Sequence, residues 1–230
     1  MLLAIDTSTR YAGVALADGD SVLSSKLWFS KVNHTVELMP AVGQILDGQG
    51  VRAADLEGIA VALGPGGFSA LRVGMSVAKG LAMASKKHMV GVGTLDLEAY
   101  PYRESGMPVC ALLDAGRKET ASALFGKSGL RSREDLIGPP EELLESIAEA
   151  TIFCGEGLEP WRELIKERLG PLAVVVGQFS VASRLWSLAI LAGQRFAAGE
   201  TDDLATLQPY YLRMPSIGVP KQRDRVRQGS

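Results

Sequence analysis

The sequence predicts an α/β protein of two lobes, each a mixed sheet flanked by helices. Three observations predict this fold class. The chain opens with strands joined by tight turns, helices and buried strands then alternate, and a second unit begins again with a strand hairpin. With 230 residues, 47% of them hydrophobic, the chain is long and apolar enough to bury two such cores.

The first unit is predicted to begin with an antiparallel meander. Asp18-Gly19 favours a tight hairpin turn, because that turn needs positive φ angles. Thr35 is expected to cap the first helix, in which apolar residues recur at helical spacing. The expected elements are strands at 2–6, 11–17, 21–29, 59–63 and 90–92, and helices at 35–46, 68–85 and from 94. This order is that of one lobe of an actin-like (RNase H-like) fold.

Residues 101–108 are predicted to separate the units, giving a first lobe at 1–104, a second at 105–213 and a mobile tail at 214–230. The second unit also starts with a hairpin, which indicates a duplicated fold. The last helix, near 181–199, is expected to return to the first lobe and complete it. The expected elements are strands at 109–114, 120–125, 151–154 and 173–176, and helices at 140–150, 160–169 and 181–198.

Composition and charge exclude several classes of protein. The 24 basic and 26 acidic residues give a net charge of −2, so no overall basic field attracts nucleic acid. The longest stretch without a charged residue, 169–183, is shorter than the ~20 residues that a membrane-spanning helix needs. Cys110 and Cys154 lie in apolar runs, which predicts buried, reduced thiols and a cytoplasmic location.

The turn after the first strand carries Asp6, Thr7, Ser8 and Thr9. In actin-like ATPases such a turn grips phosphate, and its carboxylate holds magnesium through water. One interpretation is therefore a vestigial phosphate- or nucleotide-binding site. The alternative is a polar turn in which short side chains bond to the backbone.

Two interpretations also stay open for the loop Gly64-Pro65-Gly66-Gly67, which precedes the helix at 68–85. The amide groups at a helix N-terminus suit an anion, whereas glycines equally allow close packing of a strand-to-helix turn. The loop is not a P-loop, because no Gly-Lys-Ser/Thr follows it.

The sequence predicts no catalytic residue and no metal site. Its two histidines, His34 and His88, are 54 positions apart, so they form no pair at helical spacing, and no Cys-x-x-Cys occurs. A serine nucleophile is disfavoured, because the chain has no Gly-x-Ser-x-Gly elbow.

The helix at 68–85 predicts a partner. From 68 to 84 its only charges are Arg72 and Lys79, which share one narrow stripe, whereas a surface helix shows a wide polar face. One side is expected to face its own sheet and the other a partner, with coverage by the helix at 181–198 as the alternative. The predicted interface residues lie on the first two helices: Leu38, Val42, Ile45, Leu71, Gly74, Met75, Ala78 and Ala82.

Five motifs carry a family resemblance. In order they are Ile5-Asp6-Thr7-Ser8-Thr9, Asn33-His34-Thr35 with Leu38-Met39-Pro40, Gly64-Pro65-Gly66-Gly67-Phe68-Ser69-Ala70-Leu71-Arg72-Val73-Gly74, Asp114-Ala115 with Arg117, and Pro209-Tyr210-Tyr211-Leu212-Arg213. Over most of residues 1–213 the chain resembles the TsaB (YeaZ) family of bacterial threonylcarbamoyladenosine biosynthesis proteins. Mild departures from the family pattern occur at Gly67, Ser69, Ala70, Gly116 and residues 118–120.

The resemblance implies a two-lobed actin-like (ASKHA) fold and a non-catalytic scaffold. The family's catalytic relative, TsaD, holds a metal through a His-x-x-x-His pair and transfers threonylcarbamoyl to the adenosine next to the tRNA anticodon. This chain lacks that pair.

The same resemblance implies partners. They are a TsaD-type catalytic subunit, a TsaE-type ATPase and a second copy of the chain, with overlapping surfaces on the first two helices for the homodimer and the TsaD complex. Contact with tRNA is expected only through the complex. No cofactor is expected on this chain, and ATP and metal belong to the partner subunits.

Two other functions are weighed against this one. A stand-alone actin-like ATPase or small-metabolite kinase would need a basic groove, a metal at Asp6 and a deep cleft between the lobes. A peptidase is disfavoured because the chain has neither a metal-binding histidine pair nor a serine elbow.

Overall fold

Two five-stranded sheets form the framework of the computed structural model, which describes residues 1–31, 33–177 and 180–213. The first sheet consists of β1 (Leu2–Asp6), β2 (Tyr11–Asp18), β3 (Ser21–Phe29), β4 (Gly58–Gly64) and β5 (His88–Gly93). The second consists of β6 (Val109–Asp114), β7 (Thr120–Phe125), β8 (Leu136–Gly138), β9 (Thr151–Cys154) and β10 (Ala173–Val175). The predicted mobile tail at 214–230 lies outside the described residues.

The two sheets share one topology. In the first, the strand order is β3-β2-β1-β4-β5, with antiparallel pairing on one side of β1 and parallel pairing on the other. In the second, the corresponding order is β8-β7-β6-β9-β10, with the same pattern around β6. The duplication that the hairpins suggested therefore extends to all five strands. Strand β8 was not predicted, because three residues before Pro139-Pro140 are too short to show an alternating pattern.

Six α-helices occur in the described residues. They are α1 (His34–Gly48), α2 (Phe68–Ser85), α3 (Thr94–Ala99), α4 (Pro140–Glu145), α5 (Arg162–Leu169) and α6 (Val181–Ala197). Helices α1 and α2 pack on one face of the first sheet, and α6 packs on its opposite face. Helix α3 contributes Leu95 and Ala99 to the core of the second sheet, while α4 and α5 cover that sheet's other face.

Strand alternation explains why helices cover both faces of the first sheet. Leu3 and Ile5 of β1 point toward α1 and α2, whereas Leu2 and Ala4 point toward α6. The α6 side is lined by small residues that let a helix approach closely: Ala4, Ala15, Ala17, Ala60 and Ala62. Helix α6 lies on the first sheet although it follows the second in sequence.

Three expected helix boundaries differ from the structure. Thr35 is not a cap, because α1 starts at His34 and its N-cap position is Asn33, which makes no side-chain cap bond. Helix α4 ends at Glu145, where the Ser146 hydroxyl donates to the Leu143 carbonyl and helps to close the last turn. A 3₁₀ turn at Glu156–Trp161, which contains Pro160, precedes α5.

The predicted partner interface is wrong in its choice of helix face. All eight proposed residues are buried within this chain, where α1 and α2 cover the first sheet: Leu38, Val42, Ile45, Leu71, Gly74, Met75, Ala78 and Ala82. Helix α2 is apolar almost all round. The side of α2 that the sequence assigned to a partner packs on the first sheet of this chain. The opposite side of α2 is not covered by α6, which lies across the sheet.

Two expectations from composition can be compared with the described residues. Their helices include none that is both long enough and apolar enough to cross a membrane. Cys110 and Cys154 are buried and unbridged, as predicted for the thiols. Burial raises the pKa of the Cys110 thiol to about 12 and that of Cys154 well above its usual value.

Candidate functional site

The turn between β1 and β2 brings together the four residues of the predicted phosphate site. Asp6 Oδ1 accepts hydrogen bonds from the backbone N–H of Ser8 at 2.8 Å and from its hydroxyl at 2.6 Å. The Thr7 hydroxyl donates to the carbonyl of Ala70 at 2.7 Å. Thr9 Oγ1 accepts from the N–H of Tyr11 at 3.1 Å. The side chains of this turn are therefore bonded within the protein, as in the polar-turn interpretation.

Arg184 of α6 forms hydrogen bonds to this turn. Its Nε donates to Asp6 Oδ2 at 2.5 Å, and its Nη2 donates to Thr9 Oγ1 at 3.0 Å and to the Tyr11 carbonyl at 2.8 Å. The residue is only 1% exposed. The carboxylate that an actin-like ATPase would use for its magnesium ion here accepts a hydrogen bond from a guanidinium.

Two further carboxylates complete the cluster, which we call the Arg184 clasp (Arg184, Asp6, Glu98 and Glu156). Arg184 Nη1 donates to Glu98 Oε1 at 3.1 Å and to Glu156 Oε2 at 2.8 Å. All five N–H groups of the guanidinium can thus be matched to an acceptor. Asp6 ends β1, Glu98 lies in α3, and Glu156 follows β9 of the second sheet.

Burial and the neighbouring charges shift the pKa values of Glu98 and Arg184. Desolvation raises the pKa of Glu98 to about 7, although Arg184 opposes that shift. Burial by itself would lower the pKa of Arg184, but Asp6, Glu98 and Glu156 outweigh it and hold that pKa above its usual value. The guanidinium therefore stays charged, while the Glu98 carboxyl titrates near neutral pH.

The glycine loop before α2 packs directly on the turn. A side-chain Cβ at Gly66 would lie 2.1 Å from the carbonyl oxygen of Ser8, and one at Gly74 would lie 2.3 Å from Thr7 Oγ1. The Gly67 N–H donates to the same Ser8 carbonyl at 2.8 Å. The structure thus supports close packing as the reason for these glycines.

A cavity of about 310 Å³ lies between the glycine loop and the β6–β7 hairpin. It brings together three motifs of the sequence, because the glycine loop, Arg117 and the segment 211–213 all line it. Residues 210–213 contact both units, since the Tyr210 N–H donates to the Leu63 carbonyl of β4 and Arg213 pairs with Glu119 in the β6–β7 turn. The residues of the β1–β2 turn are not among those that line the cavity.

The outward side of α1 and α2 is a second candidate site, which we call the outer face (Val36, Met39, Pro40, Arg72, Ser76, Gly80 and Met83). All seven residues are exposed. The side chains of Val36, Met39 and Met83 are 61%, 46% and 69% exposed, which is unusual for large apolar groups. Ser76 and Gly80, one turn apart on α2, would let another helix approach closely. The outer face therefore has the composition of an interaction surface.

Sequence reasoning missed the clasp. Arg184 and Asp6 are separated by 178 positions, so no local pattern connects them. One signal was present, because Arg184 is a lone charge within an otherwise apolar helical segment. Among the described residues, no group of three or more His, Cys, Asp and Glu side chains is arranged to hold a metal ion.

Comparisons with known proteins define the class. Residues 29–159 match the family model described as "TsaD: tRNA N6-adenosine threonylcarbamoyltransferase". The tRNA N6-adenosine threonylcarbamoyltransferase of Trichlorobacter lovleyi is 36% identical, but the match covers only 50% of this chain and 40% of that protein. The fold and these matches identify an actin-like protein related to threonylcarbamoyltransferases.

Matches over nearly the whole chain are to a different group of proteins. The Escherichia coli tRNA threonylcarbamoyladenosine biosynthesis protein TsaB is 31% identical over 92% of this chain and 94% of its own. The structure of YeaZ from Pseudomonas aeruginosa superposes with a TM-score of 0.72 at 30% identity, covering 92% of this chain and 99% of that one. The chain belongs to the TsaB (YeaZ) family, which confirms the resemblance carried by its motifs.

Proposed function

We propose that this protein acts in tRNA threonylcarbamoyladenosine biosynthesis as a non-catalytic subunit that binds a TsaD-type threonylcarbamoyltransferase. The modified adenosine is the one next to the anticodon. The observation that carries the proposal is the Arg184 clasp, in which a guanidinium takes the carboxylate that an actin-like ATPase would use for its metal ion.

The chemistry of the β1–β2 turn supports a non-catalytic role. Asp6 is 2% exposed and bonded to Arg184 and Ser8, so it has little capacity left for a hydrated cation. The chain also lacks the His-x-x-x-His pair. These features weigh against the alternative of a stand-alone ATPase or kinase, and we propose that the chain has no cofactor of its own.

The outer face supports binding of the catalytic subunit. Helices α1 and α2 present three large exposed apolar side chains, and Ser76 and Gly80 leave room for a second pair of helices. Burial of such side chains stabilises an association by roughly 25 cal/mol per Å² of apolar surface. We place the TsaD-type subunit on this face, and a second copy of the chain on the same face when that subunit is absent.

The remaining partners follow from the proposed role. A TsaE-type ATPase joins the same assembly, and tRNA is contacted only through the complex. ATP and metal then belong to the partner subunits. The assembly works in the cytoplasm, where tRNA is modified.

Ser76→Glu tests the outer face. The substitution places a carboxylate among small and apolar residues at an exposed position, so it should leave folding unchanged and weaken TsaD-type binding. We expect the Kd, measured by calorimetry, to rise at least about tenfold, which corresponds to ~1.4 kcal/mol. Self-association, measured by analytical ultracentrifugation, should weaken with it.

The matched control is Ser128→Glu, at another exposed serine, which lies in the turn between β7 and β8. It adds the same charge far from α1 and α2 in sequence and should leave the Kd unchanged. Equal affinities for Ser76→Glu and Ser128→Glu would place the TsaD-type subunit elsewhere on the molecule.

A further inference from the structure

We propose that Arg184 is a built-in cation that fixes the two sheets in one relative arrangement, so that this arrangement needs no bound nucleotide or metal ion. The proposal concerns the isolated chain and does not depend on which partner it binds. It rests on what the guanidinium contacts, where those contacts lie in the fold, and what would be left without it.

The contacts of Arg184 come from both sheets. Asp6, Thr9 and Tyr11 belong to the β1–β2 turn of the first sheet. Glu156 lies two residues after the end of β9 of the second sheet, and Glu98 lies in α3, which packs on that sheet. A single buried side chain therefore bonds to three separate elements in addition to the helix that carries it.

Burial leaves the carboxyl groups of the clasp few alternative partners. Asp6 and Glu98 are 2% and 6% exposed, so neither carboxyl has ready access to water as a substitute partner. Three carboxylates surrounding one positive charge are an arrangement that proteins otherwise use for bound cations. With the guanidinium removed, Asp6 of the first sheet and Glu156 of the second would lose the positive charge that they share.

Two further hydrogen bonds connect Glu98 of α3 to β9 and to the residues that follow it. The Cys154 thiol donates to the Glu98 carbonyl at 3.5 Å, and the N–H of Glu156 donates to Glu98 Oε1 at 3.4 Å. Helix α3 is thereby attached to β9 through its backbone and to Arg184 through its side chain. Without Arg184, the contact between the two sheets should open first at α3 and at residues 155–158.

The experiment compares amide hydrogen exchange in the wild type, Arg184→Ala and Arg195→Ala. Arg195 is the control because it lies on the same helix but pairs with Asp202 and Glu200. For Arg184→Ala we expect exchange at 94–99 and 155–158 to rise at least about tenfold, while the strands of each sheet keep their protection. Arg195→Ala should leave those two segments unchanged.

Chemical rescue separates the cation from general destabilisation. Guanidinium chloride at low millimolar concentration should restore protection at 94–99 and 155–158 in Arg184→Ala, because the free ion fits the vacated place between the carboxylates. Sodium chloride at the same ionic strength should not. Unchanged exchange in the variant, or a uniform rise over the whole chain without rescue, would overturn the proposal.

One further variant and one ligand addition complete the hydrogen-exchange experiment. If Arg184→Ala does not fold, Arg184→Lys replaces it. Its ammonium has three donors instead of five, so the same two segments should exchange faster than in the wild type, and an unchanged rate would refute the clasp. In the wild type, MgCl₂ with ATP should add no protection at these segments, whereas added protection would show that a nucleotide sets the arrangement.

Discussion

Ala78→Glu is expected to unfold the protein rather than to split an assembly. Ala78 is 0% exposed and belongs to the core cluster in which α2 packs on the first sheet with Ile5 and Val61. A glutamate there would bury a charge with no basic partner in the cluster. An uncompensated buried charge costs on the order of 3–5 kcal/mol, which is a large part of the ~5–15 kcal/mol that stabilises a typical domain.

Urea unfolding followed by circular dichroism measures this effect. The midpoint for Ala78→Glu should fall sharply, or the variant should be unfolded without denaturant. Ser76→Glu, two positions away on the exposed side of α2, is the control and should keep the wild-type midpoint. A folded Ala78→Glu protein with an unchanged midpoint would show that this side of α2 does not face its own sheet.

Glu98→Gln is expected to flatten the pH dependence of stability. Burial raises the pKa of Glu98 from 4.5 to about 7, so the folded state retains a proton that the unfolded chain has already released. The folded state is therefore penalised as the pH rises from about 4.5 to about 7, and the penalty is complete above that range. The shift corresponds to about 3 kcal/mol of unfolding free energy.

Glutamine keeps the shape of the side chain but does not titrate, so the variant should lack this loss. The measurement is the free energy of unfolding at several pH values between 4.5 and 8 for both proteins. The control is Glu159→Gln, which removes an exposed glutamate paired with Arg162 and should retain the wild-type slope. Parallel profiles for the wild type and Glu98→Gln would mean that Glu98 is ionised throughout.

Local signals in the sequence were sufficient for most of the fold. Tight turns such as Asp18-Gly19 and the buried runs at 59–63 and 109–114 located the strands, because these patterns are set within a few residues. Strand β8 escaped prediction since its pairing with β7, rather than its three residues, defines it.

The site could be predicted only in part. The composition of α2 indicated two apolar sides, but which side meets the sheet depends on the packing of β1, β2 and α1 against it. The turn at residues 6–9 was found from its side chains, yet its bonding depends on Arg184, which lies 178 positions from Asp6. Long-range ion pairs of this kind leave no spacing pattern in a single sequence.

The most direct test of the central claim is transfer of threonylcarbamoyl from its adenylate to tRNA, followed with labelled threonine. Three reactions are compared, each containing the TsaE-type ATPase, ATP and the labelled adenylate: one with this chain, one with the TsaD-type subunit, and one with both. The account predicts labelled tRNA only when this chain and the TsaD-type subunit are both present. Labelling by this chain alone, or equal labelling when it is omitted, would contradict its role as a non-catalytic subunit.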